Sequence, residues 1–265
     1  MSASAPAGAA GGVAARFRLD GRVAVVTGAS KGIGEAIARA FGEAGARVVV
    51  SSRKQEAVDE VAHAIGAAGG EAIGVAANVG RPGEAAALVE RVVAHWGGVD
   101  VLVNNAAINP TFGPVLEADD AVFDKIMAVN VKGPLAAARA AYASMRERGH
   151  GSVINVSSIG GVSPEPGLGL YSVSKAALIS LTKVLAQEWG RAGVRANVIC
   201  PGLIQTKFSE ALWGNERILQ HTLAQQALPR VGRPEDVAGL ALFLASDAGA
   251  YCTGGVYTVD GGYLI

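Results

Sequence analysis

Val23-Ala24-Val25-Val26-Thr27-Gly28-Ala29-Ser30-Lys31-Gly32-Ile33-Gly34 is the stretch whose reading decides the fold of this chain. An apolar run of strand character breaks into a glycine-rich turn and continues as a helical segment. Such a junction presents backbone N–H groups and the positive end of a helix to a diphosphate. Glycines there allow the tight turn, let a ligand approach the backbone and let the helix pack close to the sheet. Gly28, Ser30, Lys31, Gly32, Ile33 and Gly34 are therefore candidate nucleotide-binding residues. The spacing is G-x-x-x-G-x-G rather than G-x-G-x-x-G, and the same residues carry a rival pattern. Gly28-Ala29-Ser30-Lys31-Gly32 also fits the G-x-S-x-G nucleophile elbow of a serine hydrolase, which likewise joins a strand to a helix.

Outward from this turn, short β-branched runs recur at 23–26, 47–50, 72–76, 99–103, 152–156, 194–199 and 255–259, separated by Ala-rich helical stretches. The alternation predicts an α/β chain: a single-domain, doubly wound Rossmann fold with a seven-stranded parallel sheet and helices on both faces. Ligands in that architecture bind beyond the carboxyl ends of the strands. Thr27, Ser51, Asn78, Asn104, Ser157 and Pro201 follow the runs. Residues 206–229 interrupt the last crossover with amphipathic sequence that includes Phe208, Leu212 and Trp213, and are expected to form a lid.

With 265 residues, 50% of them hydrophobic, the chain is expected to fold as one domain over 18–265 behind a flexible Ala/Gly/Ser-rich tail, 1–17. Lys plus Arg and Asp plus Glu number 23 each, so no overall field recruits nucleic acid or an anionic membrane. Cys200 and Cys252 lack a CxxC pattern, and His63, His95, His150 and His221 show no metal-ligand spacing. Neither a disulfide framework nor a metal site is expected. The tail lacks the apolar core of a signal peptide, and no run of about twenty apolar residues is present to span a membrane. A cytoplasmic location is the expectation; Arg16 and Arg18, with no acid before Asp20, leave an organelle-targeting reading open.

Tyr171 and Lys175 stand four residues apart at the start of a helical run, so both side chains project from one face. A phenol titrates near ~10. A cation held close lowers that value and makes the phenol a useful acid or base near neutrality. Thirteen positions before Tyr171 stands Ser158, at the end of the fifth run.

These residues form an ordered series with the glycine turn, Asn104-Asn105-Ala106-Ala107, Asn130 in Val129-Asn130-Val131, and Pro201-Gly202-Leu203-Ile204-Gln205-Thr206. From about Leu19 to Ile265 the chain resembles the short-chain dehydrogenase/reductase family. The resemblance implies that Tyr171 donates the proton in carbonyl reduction and removes it in alcohol oxidation, while Ser158 hydrogen-bonds the substrate oxygen. Lys175 would lower the phenol pKa and bind the nicotinamide ribose. Asn130 would hold a relay water, Asn105 would steady the chain beside the cofactor, and Ile204 and Thr206 would meet the carboxamide near Pro201 and Gly202. Ser157 competes with Ser158 for the catalytic role; the thirteen-residue spacing favours Ser158. Asn105-Ala106-Ala107 replaces the family's commoner Asn-Ala-Gly, and Asn78-Val79 stands where an Asp-Val pair usually meets the adenine.

The second run ends in Ser51-Ser52-Arg53-Lys54, with no carboxylate to take a ribose 2′-hydroxyl. Ser52, Arg53, Lys54 and Lys31 instead suit a 2′-phosphate, so NADP is the expected cofactor. The runs 48–55 and 108–110 resemble the NADP-linked carbonyl reductase branch. The 3-oxoacyl-acyl-carrier-protein reductases, for whose acidic carrier Arg146 and Arg148 are candidate contacts, and the sugar or polyol dehydrogenases are alternatives within the family. A non-catalytic NADP sensor and the serine hydrolase are alternatives outside it. Residues 108–112, 159–168 and the lid are mainly apolar, which favours a hydrophobic ketone as the small-molecule substrate, although Trp213 could equally anchor the lid. A homotetramer is expected, because 135–143, 176–189 and 253–262 resemble the surfaces through which the family pairs subunits.

Overall fold

All five residues of β1 (Val23–Thr27) are buried, as a strand paired on both edges and covered on both faces requires. In the computed structural model, which describes residues 12–265, six further strands accompany it. They are β2 (Arg47–Ser52), β3 (Glu71–Ala76), β4 (Val101–Asn104), β5 (Gly151–Val156), β6 (Val194–Pro201) and β7 (Val256–Val259). All pair in parallel in the order β3-β2-β1-β4-β5-β6-β7, with Val25 opposite Val49 on one side and Leu102 on the other. The seven-stranded doubly wound Rossmann fold expected from the sequence is the fold observed.

The helices are α1 (Gly32–Glu43), α2 (Gln55–Ala67), α3 (Glu84–Trp96), α4 (Asp120–Met127), α5 (Gly133–Arg148), α6 (Gly169–Trp189), α7 (Glu210–Trp213), α8 (Glu216–Gln225) and α9 (Pro234–Ala245). Because successive strand residues point to opposite faces, Ala24, Val26, Val48, Val50 and Val103 join Ile37, Phe41, Val58 and Leu244 in one core, under α1, α2 and α9. Val23, Val25, Val49, Leu102 and Val153 join Leu88, Ala137, Ala141 and Leu185 in the other, under α3, α5 and α6. Each fully buried large side chain, such as Phe41 or Leu102, contributes roughly 1.5–3 kcal/mol of transfer free energy. The alanines of α5 let that helix sit directly on the sheet: Ala137, Ala138 and Ala141 are fully buried.

Every strand departs from its expected run by one or two residues at one end or both, and two of the differences, one at a strand and one in the expected tail, have a clear physical reason. The fourth strand begins at Val101 rather than 99, because the Val99 N–H is taken by the Ser144 hydroxyl and the Asp100 carboxylate accepts from the Val23 N–H. The last part of the expected tail, Val13–Phe17, is a 3-10 turn: Phe17 packs on Phe243 with ring centroids 6.4 Å apart, and Arg16 donates to the Asp247 carbonyl. The rest of that tail, residues 1–11, lies outside the described residues. Among the described residues no helix is long and apolar enough to cross a membrane, and no cluster of potential metal ligands occurs.

Candidate active site

The chain leaves β1 for β2 on one side, while β4 flanks β1 on the other, so the strand order reverses there and opens a crevice at the carboxyl ends. The glycine turn fills that position. A Cβ at Gly28 would stand 2.8 Å from the Ala106 Cα, and one at Gly34 would stand 2.5 Å from both the Asn105 amide nitrogen and the Gly28 carbonyl oxygen. Gly28 also has φ +65°, in the left-handed region that favours glycine. The contact with the β4 loop is built by hydrogen bonds. Asn105 Nδ2 donates to the Thr27 and Gly28 carbonyls at 3.0 and 3.1 Å. Thr27 Oγ1 accepts the Asn105 and Ala106 N–H groups at 3.1 and 3.2 Å and donates to the Val103 carbonyl at 3.3 Å. Ala107 follows half-buried in the same loop.

Lys31 precedes α1 without a side-chain cap, so the first-turn N–H groups around Ile33 are left for a ligand. Lys31, Arg53 and Lys54 are exposed, and among the described residues none pairs with a carboxylate. Ser30 Oγ donates to Ser52 Oγ at 3.2 Å, and the buried Ser51 hydroxyl has no partner. Asn78 turns its amide oxygen to the Gly80 N–H, while its own N–H goes to Glu84, which that bond and Arg81 hold below the usual carboxylate range. Val79 is buried. On the far side of the crevice Gly202 follows Pro201 into the loop after β6, Ile204 is buried, and the Thr206 methyl would lie 3.1 Å from a Cβ at Gly32. The spaces that extra side chains would fill, the open helix end and the unpaired cations fit a phosphorylated dinucleotide.

Tyr171, Lys175, Ser158 and Asn130 converge beside this crevice. Tyr171 and Lys175 lie on one face of α6, both buried. Lys175 Nζ donates to the Val156 carbonyl at 2.8 Å and stands 5.5 Å from the Tyr171 ring centroid. Burial pushes the phenol up to about 12 and the ammonium down to about 8. The group that pulls the phenol back down is the Ser158 hydroxyl, not Lys175, whose ammonium is aimed at the end of β5. The two serines divide their work: Ser157 Oγ donates to the Lys175 carbonyl at 2.8 Å, whereas Ser158 accepts only the Gly160 N–H and otherwise faces the phenol. Cys200 lies close behind, its thiol pushed up to about 11 by burial.

Asn130 is buried in a single π-helical turn, Ala128–Lys132, between α4 and α5. Its amide donates to the Ile108 carbonyl and to Ser174 Oγ, both at 3.0 Å, and accepts the Ile108 N–H at 2.9 Å. Both amide donors are committed, and Pro134, four residues on, has no N–H to take the Asn130 main-chain carbonyl.

The segment expected to be a lid contains α7 and α8. Phe208 lies over the catalytic face with its ring centroid 6.1 Å from that of Tyr171. Trp213 anchors this segment on itself: its indole N–H donates to the Thr206 carbonyl at 2.9 Å. A cavity of about 140 Å3 beside Tyr171 is bounded by Asn109, Phe112, Val115 and Leu168.

A family model described as enoyl-(acyl carrier protein) reductase matches residues 28–264. The dehydrogenase/reductase SDR family member 4 of Sus scrofa is 44% identical over 251 residues, which cover 95% of this chain and 90% of that protein. This chain belongs to the short-chain dehydrogenase/reductase family. It is an oxidoreductase by that membership. Among solved structures, a putative NAD(P)-dependent gluconate 5-dehydrogenase from Beutenbergia cavernae with bound NADP at low occupancy has a TM-score of 0.90 and 37% identity, covering 94% of this chain and 99% of its own. A gluconate 5-dehydrogenase from Burkholderia cenocepacia in complex with NADP and tartrate has a TM-score of 0.90 and 33% identity, covering 94% and 97%.

The hydrolase reading of the glycine turn fails on geometry. A nucleophile elbow holds its serine in a strained turn next to a histidine, but no non-glycine residue described here has positive φ, and Ser30 is bonded to Ser52. His221 pairs with Gln225 on α8. Nor do Arg146 and Arg148 form a basic patch at the crevice: Arg148 is paired with Asp100 before β4, at the opposite end of the sheet. The sequence reading missed Thr27, Ser174, Asn155 and Thr182 as supports. Asn155 accepts from Asn104 at 2.9 Å and donates to Thr182 at 2.8 Å, a buried polar chain crossing from β4 to α6. For Thr27 and Asn155 a polar residue inside a strand otherwise apolar was the available signal; Ser174 and Thr182, on α6, carried none.

Proposed function

We propose that this member of the family is an NADP(H)-dependent enzyme that interconverts a carbonyl and an alcohol, acting chiefly as a reductase of hydrophobic ketones. The carrying observation is the convergence of Tyr171, Ser158 and Lys175 at the end of β5, beside a glycine turn flanked by unpaired cations. NADP as cofactor rests on Lys31, Arg53 and Lys54 and agrees with the NADP of the two solved relatives. When bound, the nicotinamide supplies the hydride.

The chain's own residues supply position and the proton. Ser158 would hold the substrate oxygen against the Tyr171 hydroxyl, and Tyr171 would release its proton to that oxygen in reduction. A phenol pushed up to about 12 is fully protonated at neutral pH, which suits proton donation; alcohol oxidation needs the phenolate and therefore alkaline conditions. Lys175, lowered to about 8, remains mostly charged at pH 7, and its ammonium, anchored on the Val156 carbonyl, would hold the ribose hydroxyls. Asn130, latched to Ser174 and Ile108, would present its main-chain carbonyl to the relay water.

Phe112, Val115, Leu168 and Phe208 favour an aryl or other apolar ketone over a small keto acid, whose carboxylate would be costly to desolvate there. The likeness to two gluconate 5-dehydrogenases favours a second reading, oxidation of a sugar acid or polyol. Turnover of an aryl ketone, a 3-oxoacyl thioester, pyruvate and gluconate, each with NADP(H) and NAD(H), separates these readings. Preference for gluconate or for NAD(H) would overturn the first.

A homotetramer in the cytoplasm completes the reading. The exposed Val173 and Val184 give α6 an outer apolar face suited to self-association. A monomer by light scattering at micromolar concentration would refute the assembly, and membrane or organelle fractions carrying the protein would refute the location.

A further inference from the structure

At the end of the sheet opposite the crevice, the starts of β4, β5 and β6 surround a cavity of about 500 Å3, within the range of small-molecule sites. Arg22, His150, Arg195, Tyr251 and Thr253 are among its lining residues. Its carboxylates are already engaged. Asp100 is buried and takes the Val23 N–H at 2.7 Å, Arg148 at 3.0 and 3.1 Å, and the His150 ring at 3.4 Å. Asp247 is mostly exposed and meets Arg22 at 3.4 Å.

The cations are not satisfied in return. Among the described residues, half-buried Arg195 has no carboxylate partner and offers its five donors only two carbonyls, Cys252 and Ser246, each at 3.4 Å. His150 Nδ1 is buried without a partner. Burial and the charge of Arg22 both disfavour the charged forms of His150 and Arg195. Arg22, Arg148 and Arg195 thus face two carboxylates, leaving one guanidinium charge uncompensated beside an orphaned imidazole nitrogen. An oxyanion relieves both defects together, because a guanidinium fork binds two oxygens at once and charge-assisted bonds are the strong ones.

We propose that this cavity is a second ligand site, distinct from the catalytic crevice, that takes a small organic anion through carboxylate or phosphate oxygens held by Arg195 and Arg22. His150 adds a third donor once the charge of the bound anion offsets Arg22 and holds the ring as imidazolium, with Nε2–H on Asp100 and Nδ1–H left for the ligand; the Thr253 hydroxyl, which accepts the Ala196 N–H, is free to donate its own proton.

The test titrates citrate and, in a separate arm, inorganic phosphate into protein saturated with NADPH, which occupies the other anion-binding region. Calorimetry is run at constant ionic strength with sodium chloride as control. The expected result is saturable binding by at least one anion with Kd at or below about 1 mM. R22Q and R195Q should each weaken it at least about tenfold, the scale of one lost charge-assisted contact, with NADPH affinity unchanged. Which arm binds tighter identifies the carboxylate or phosphate source. H150Q, at a partly exposed side chain, keeps the proposal testable if R195Q fails to fold, and amide chemical-shift mapping should place the anion at Ser152, Tyr251 and Thr253. No saturation by either anion, unchanged affinity in R22Q and H150Q, or shifts confined to the catalytic crevice would each overturn the proposal.

Discussion

Replacing Thr27 by valine removes one hydroxyl while keeping the side chain's shape, so it isolates the clamp between the glycine turn and the β4 loop from any cavity effect. Thr27 is 2% exposed, and three hydrogen bonds meet at its Oγ1. Valine would leave the Asn105 and Ala106 N–H groups without their acceptor. Each lost bond costs about 1 kcal/mol net, and an unsatisfied buried group costs about 1–3 kcal/mol. The two N–H groups are only partly buried and regain some water, so the expected destabilisation is about 2 kcal/mol. Urea unfolding should show it as a lowered midpoint with an unchanged slope. The same loop meets Gly28 and Gly34, so NADPH affinity should fall at least about fivefold, equivalent to roughly 1 kcal/mol. Thr27→Ser, which keeps the oxygen, should restore most of the affinity. A loss of stability below about 0.5 kcal/mol, or unaltered NADPH binding, would refute the clamp.

Arg53→Ala should weaken NADPH about tenfold or more, the scale of a lost charge-assisted contact of roughly 1.5–3 kcal/mol, and leave NADH unaffected; equal effects on both cofactors in fluorescence titrations would remove the phosphate assignment. Tyr171→Phe should lower kcat at least about 100-fold while NADPH still binds, and a residual rate above a tenth of wild type would reject Tyr171 as proton donor. Phe208→Ala should raise KM for an aryl ketone more than for a small aliphatic one, since its ring lies 6.1 Å from that of Tyr171; an unchanged KM ratio would place Phe208 outside the substrate path. Asp236 is held down to about 2 by Arg230 and the Arg233 N–H, below the ordinary carboxylate value. Its stabilising contribution is therefore present above about pH 4 and lost as pH falls from there toward 2. Thermal scans of Asp236→Asn should show a lower Tm at pH 6 and a difference from wild type that closes by pH 2.

Local rules made the scaffold and the pairing of Tyr171 with Lys175 legible. Strand runs covered on both faces read as apolar without tertiary knowledge, and right-handed crossovers favour a doubly wound sheet, whereas the order β3-β2-β1-β4-β5-β6-β7 was decided by the structure. The glycine turn is local too, since positive φ at Gly28 and the start of α1 lie within a few residues. Tyr171 and Lys175 share a helix face through the helical period alone. What only the tertiary structure decided depends on residues far apart along the chain. Thr27 reaches Asn105 across 78 positions, and Asn130 reaches Ser174 across 44. The Lys175 ammonium turned to the Val156 carbonyl, leaving Ser158 to act on the phenol, and Phe208 came to lie over Tyr171. The same holds for the cavity lined by Arg22, His150 and Arg195, three residues that share no sequence motif and meet because parallel strands bring their amino ends together. Local periodicity specifies which elements form; which polar groups are buried, paired or left unpaired is settled only when distant elements pack.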